Sequence, residues 1–246
     1  MENAGGVRID HVLGLRRIWV VPQGRASAEG CYLTFPQTDL FRILALESWR
    51  RRAVVVGEDL GTVPEGLRGE MEDMGILGMR VLWFERDEDG AFTAPSGWDV
   101  RAAAMTSTHD LPTVAGWWSE RDIDWTWRIG RKSRFDSENE ERQDRADERE
   151  RLWRALVASG KADGAAPPPA QTNAVVTAAA AHVASSGCDL ALIPAEDILG
   201  LAEQPNLPGT LDEHPNWRRR LPQIEGALCL PHVIDRLRRI DEGRGR

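Results

Sequence analysis

Short apolar runs recur along this chain, each closing in polar residues and each followed by a stretch with helical spacing. The first is Gly6-Val7-Arg8-Ile9-Asp10-His11, and the second is Ala53-Val54-Val55-Val56-Gly57-Glu58-Asp59. The unbroken valines of the second predict a strand covered on both faces. Residues 79–84, 103–110 and 189–194 form the third, fourth and fifth runs, the fourth with the weakest strand propensity. Between them, residues 39–52 set Leu40, Ile43, Leu44 and Leu46 on a helical period and end in arginines that complement the helix dipole. Thr62 followed by Glu65 reads as a capped helix start. Residues 171–186 are alanine-rich and stop before Gly187, which suits a helix C-terminus. Strands alternating with helices predict βαβ units and a parallel sheet.

Residues 131–154 break this rhythm, being dense in charge of both signs and neutral as a whole. Glu138/Arg142, Glu141/Arg145, Asp147/Arg151 and Glu150/Arg154 are acid-before-base pairs at i,i+4, each worth about 0.2–0.5 kcal/mol on a helix. The expectation is a solvated helical insertion rather than a partner-binding helix. Residues 161–169, with three consecutive prolines, read as a linker between helical pieces. The expected organisation is strand–helix units over 1–118, charged insertion and linker over 119–170, and a last strand with C-terminal helices over 171–246.

Composition narrows the classes. An apolar share of 41% suffices for a core. A net charge of −8 and a pI near 5.3 argue against nucleic acid and against an acidic membrane surface as partners. Cys31, Cys188 and Cys229 are odd in number and dispersed, so no disulfide framework or metal site is expected, and a reducing, cytoplasmic setting is. No apolar run reaches membrane-span length. Ten tryptophans stand against one tyrosine. Most should pack in the core, though broad aromatic faces also suit sugar rings.

Three strand ends carry carboxylates: Asp10, Glu58 and Asp110. In a parallel barrel the strands' C-terminal ends share one rim, which would gather acids far apart in sequence. Any one alone could be a helix cap or a surface residue. Arg8 and Asp10, two apart on a strand, face the same side, and a neighbouring cation favours an ionised carboxylate. Glu58 follows three valines, an apolar setting that would favour the protonated acid. Two carboxyls in opposed environments meet the needs of retaining glycoside chemistry, with the pair expected about 5–5.5 Å apart.

At these residues the chain resembles the 4-α-glucanotransferases, the amylomaltase or disproportionating-enzyme family. The matching blocks are Arg8-Ile9-Asp10-His11-Val12-Leu13-Gly14, residues 56–64 from Val56 to Pro64, and Thr108-His109-Asp110-Leu111-Pro112-Thr113. Residues 203–210 and 213–220, with the loop Gly30–Pro36, complete a set running in family order along nearly the whole chain. The resemblance implies an α/β fold of the (β/α)8 TIM-barrel type. It implies Asp10 as nucleophile, Glu58 as general acid/base and Asp110 as the third carboxylate. Arg8, His109 and Asn206 fall at substrate-contact positions, and Tyr32 and Trp217 are candidates for the cleft or for packing. The substrates implied are maltooligosaccharides or other α-1,4-glucans such as maltodextrin and glycogen, with no metal or organic cofactor. An α-glucan hydrolase and a non-catalytic glucan-binding fragment are the competing readings.

The resemblance departs at the front, where Asp10 arrives after nine residues and only the last five strand–helix units are counted. The expectation is a fragment, or a chain whose missing N-terminal half comes from a partner. Because an open five-stranded sheet leaves apolar edges bare, the chain alone is expected to be poorly soluble or inactive.

Overall fold

A computed structural model describes residues 1–222 and 224–245. The five apolar runs become β1 (Gly6–Ile9), β4 (Val54–Gly57), β5 (Ile76–Val81), β6 (Ala102–Met105) and β7 (Leu190–Leu192), in the order β1-β4-β5-β6-β7. β1 pairs with β4 in parallel, Arg8 opposite Val56, and β4 pairs with β5 in parallel, Val55 opposite Ile76. Val55 and Val56 point to opposite faces and are both buried, as a strand covered on both sides requires. Every residue of β5 and β6 is buried as well. The chain divides into two compact units, Met1–Met79 with Arg101–Ala103, and Arg80–Val100 with Ala104–Arg246.

In the first unit, α1 (Gln37–Arg51) and α2 (Leu67–Asp73) supply Phe41, Leu67 and Met71 to a core shared with Val12, Val55 and Ile76. Two expectations fail here. Thr62 and Glu65 do not start a helix: α2 begins at Leu67, after Gly66 at φ 85°, a backbone state glycine adopts without a side-chain clash. The stretch Gly30–Pro36 is not merely a loop. Cys31–Thr34 forms β3, antiparallel to β2 (Arg17–Val20), with Trp19 opposite Tyr32. Gly30 permits this closure, since a Cβ there would lie 2.6 Å from the Trp19 ring.

The second unit has the deeper core. α6 (Asn173–Ala184) is buried without interruption from Val175 to Ala184 and packs on α3 (Val114–Trp118) and α9 (Pro231–Gly243). Its alanines allow this close approach. Trp83, Trp98, Trp117, Trp118, Trp125 and Trp153 are buried, as expected of most tryptophans here. α5 (Glu138–Ala158) corrects the picture of a solvated insertion. Leu152, Trp153 and Leu156 are buried, and three arginines reach carboxylates on or beside α4 (Arg121–Arg128). Arg142 meets Glu120 and Asp124, Arg145 grips Asp122 at 2.7 Å, and Arg149 meets Glu120. Of the four expected i,i+4 pairs, Glu138/Arg142 forms. Glu141 instead accepts from the Trp127 indole, and Arg151 turns to Glu148. Contacts across helices desolvate charge more than contacts along one exposed face, and a partly buried guanidinium gains more from several acceptors than from one.

α7 (Ala195–Leu199) follows β7, and α8 (Ile224–Leu228) precedes α9. No helix among the described residues is long and apolar enough to cross a membrane.

Candidate active site

The first acid cluster is built at the ends of β1 and β4. Glu58 N–H donates to the Ile9 carbonyl, continuing the parallel ladder one step past both strands. His11 then takes a left-handed backbone (φ 46°). The turn aims its N–H at Glu58 Oε2, 2.6 Å away, while Val12 N–H reaches the Glu58 carbonyl. A non-glycine residue held in this region stores strain, and such strain concentrates at functional sites. Arg8 Nη2 lies 2.9 Å from Asp10 Oδ1 and 3.9 Å from Glu58 Oε2, so one guanidinium nitrogen spans both acids. The Asp10 side chain is 77% exposed and that of Glu58 14%. The expected apolar setting of Glu58 is therefore corrected: its carboxylate receives an amide N–H and faces a cation. The valines of β4 cover the strand, whereas the ladder's end is polar. Asp59, one residue on, points the other way, is buried, and is occupied by Arg68 and the Met79 N–H.

The second cluster lies in the other unit, in the turn after β6. Leu111 N–H donates to the Thr108 carbonyl, and Asp110 N–H to Thr108 Oγ1, which fixes the turn. Asn206 Nδ2 donates to Asp110 Oδ1 at 2.6 Å, and Asn206 N–H donates to the His109 carbonyl. His109 Nε2 is 3.4 Å from Asp110 Oδ2. Below the turn, Asp197 accepts from Val114 N–H at the start of α3 and from Thr106 at the end of β6. Its full burial pushes its carboxyl up to about 6, because the charged form loses its water.

Asn206 rides on a loop that other residues hold shut. Asn216 Oδ1 accepts from Leu207 N–H, its amide reaches Thr210, and buried His214 bonds it through Nδ1. Glu203 takes Arg121, the Trp125 indole N–H and Arg219. Burial alone would raise the Glu203 carboxyl; these donors outweigh it and hold it below the usual range. This loop borders a cavity of about 520 Å³ with His109, Thr108 and Trp217 on its wall.

Sequence reasoning named Arg8, Asp10 and Glu58, which meet in one unit, and His109, Asp110 and Asn206, which meet in the other. It missed Glu203 as a hub, and His214 and Asn216 as loop locks. Tyr32 packs edge-on against Trp19 beneath the Arg17 guanidinium, within its own hairpin. Among the described residues, no group of three or more His, Cys, Asp or Glu is placed to hold a metal.

A parallel sheet with acids at its strand ends defines a protein of the (β/α)8-barrel class, represented here by five strands. The family follows directly: a model of the 4-alpha-glucanotransferase family matches residues 1–225, and the chain belongs to that family. It is 33% identical over 231 residues to a 4-alpha-glucanotransferase of Haemophilus influenzae, covering 91% of this chain and 32% of that protein. It is 35% identical over 236 residues to one of Mycobacterium bovis, covering 94% and 32%. Among solved structures, amylomaltase from Corynebacterium glutamicum superposes with a TM-score of 0.87 at 26% identity, covering 98% of this chain and 35% of that one. The chain thus spans about a third of the length of these relatives. An amylomaltase from Streptococcus agalactiae in complex with acarbose shares the fold, with a TM-score of 0.64 at 16% identity.

Proposed function

We propose that this chain carries the catalytic carboxylates of a 4-α-glucanotransferase, which moves a segment of α-1,4-glucan to the 4-hydroxyl of another glucan. The observation that carries the reading is the Arg8 guanidinium reaching both Asp10 and Glu58. Glu58, protonated, gives its proton to the glycosidic oxygen as Asp10 attacks the anomeric carbon. The bond to the leaving glucan breaks and an Asp10–glycosyl ester forms. Glu58, now ionised, takes the proton of the acceptor hydroxyl, which displaces Asp10 and restores the original anomeric configuration. Arg8, 2.9 Å from Asp10, offsets the negative charge on that carboxylate as attacking group and leaving group in turn. Asp110, oriented by the Asn206 amide and beside His109, takes the part of the third carboxylate, holding sugar hydroxyls. Maltodextrin or glycogen branches are the natural donors, no cofactor enters these steps, and the dispersed cysteines favour a cytoplasmic setting.

Product analysis tests this. Residues 1–246 would replace the aligned third of the Mycobacterium bovis enzyme, with folding checked by circular dichroism, and the hybrid would be incubated with maltotriose. Glucose together with products longer than maltotriose is expected, and Asp10→Asn should silence both. Products no longer than the substrate would instead identify a hydrolase, and a folded, silent hybrid would overturn the reading. The chain by itself is expected to form no longer maltodextrins.

A further inference from the structure

Trp217 combines two features that cost free energy and that packing does not explain. Its backbone is left-handed (φ 58°), a state in which a side chain crowds its own carbonyl. Its indole is 66% exposed, where burial would be favourable. Every neighbour is tied down. Trp217 N–H donates to the Pro205 carbonyl, Asn216 closes the loop before it, Arg218 pairs with Asp212 and Arg219 with Glu203. The loop therefore over-determines the strained residue, and what it holds in place is an exposed aromatic face. That face lies 5.1 Å from the His109 ring, centroid to centroid, on the wall of the 520 Å³ cavity. Among the described residues the indole N–H meets no acceptor.

We propose that the Trp217 indole is a stacking platform for one glucosyl ring of an α-1,4-glucan, next to the ring held by Asp110. The inference rests on the glucan reading above and adds a binding residue to it. A glucose ring has apolar C–H faces and a rim of hydroxyls. Indole offers the flat apolar surface, and its N–H a donor at the edge. His109 touches both Trp217 and Asp110, so aromatic and hydrogen-bonding surfaces alternate at the spacing of neighbouring groups rather than of distant ones. Strain held in the free protein means that the platform needs no ordering when sugar arrives.

The test uses the intact 246-residue chain and maltoheptaose, with affinity measured by calorimetry and stability by thermal unfolding. Trp217→Ala should weaken binding about tenfold while leaving Tm nearly unchanged, and Trp217→Phe should recover most of the affinity. Trp217→Gly should raise Tm, because the strain is released, yet bind as weakly as the alanine variant. Unchanged affinity in Trp217→Ala, or a large fall in its Tm, would overturn the platform and leave the glucan reading standing. A wild-type chain that binds no maltoheptaose would instead sink the glucan reading itself.

Discussion

The two acid clusters are held by different physics. Asp10 and Glu58 are organised by a charge, the Arg8 guanidinium, on a turn whose amide is aimed by a strained His11. Asp110 is organised by the neutral amide of Asn206. That loop is locked through His214 and Asn216, over a unit whose buried framework includes Asp197. A cation lowers the energy of an anion wherever the anion moves nearby. An amide fixes a direction without supplying charge. The close Arg8–Asp10 pair suits a nucleophile that must stay ionised through bond making and breaking, and the second arrangement suits a group that must point at hydroxyls.

The contrast breaks most sharply at Arg8. In the hybrid enzyme, Arg8→Ala should cut the transfer rate on the order of a thousandfold, about 4 kcal/mol, since Asp10 loses the cation that stabilises its charge. Arg8→Gln, which restores hydrogen bonds but no charge, should recover little of it. A rate within tenfold of the parent would show that charge is not what organises this cluster.

The framework beneath the second cluster is tested by pH. Asp197 has its folded value raised from 3.8 to about 6, so its stabilising contribution is complete at low pH and is lost as pH climbs between those values. His182, buried against Ser159, is lowered by desolvation from 6.5 to about 4, so its contribution is present above 6.5 and lost as pH falls towards 4. Between pH 4 and 6 the two slopes oppose each other. Asp197→Asn should leave the His182 slope uncovered, with stability to urea rising by about 3 kcal/mol from pH 4 to 6.5. His182→Gln should reverse that slope. If the two variants shared one pH profile, the opposition would be absent.

The smallest effect is expected at Asn206. Asn206→Ala should raise KM and lower the transfer rate roughly tenfold in kcat/KM, because Asp110 keeps its charge and loses only its orientation. The pH profile should keep its shape. A loss matching that of Arg8→Ala would erase the distinction between the clusters.

How much of this could be read from the chain follows the range of each interaction. The valine run, the alanine helix and the strand-end acids were legible because burial and periodicity act locally. Arg8 and Asp10 were legible as a pair for the same reason, being two apart on one strand. The hairpin of β2 and β3 was not, since ten residues separate its strands and no short turn motif announces it. The arginines of α5 showed their charge but not their partners, because Glu120 and Asp122 compete with the i,i+4 acids and win on burial. The polar surroundings of Glu58 come from a turn 47 residues away. The bond from Asn206 to Asp110 spans 96 residues, and only family order hinted at it.

Covalent capture asks whether Asp10 is the nucleophile. With α-maltotriosyl fluoride, fluoride leaves without a proton, so the hybrid enzyme carrying Glu58→Gln can form the glycosyl ester but lacks the base to discharge it. Intact-mass measurement should show one added maltotriosyl unit, peptide mapping should place it on Asp10, and Asp10→Asn should abolish it. No adduct on the Glu58→Gln hybrid, or an adduct that persists after Asp10 is replaced, would overturn the assignment of Asp10 as nucleophile.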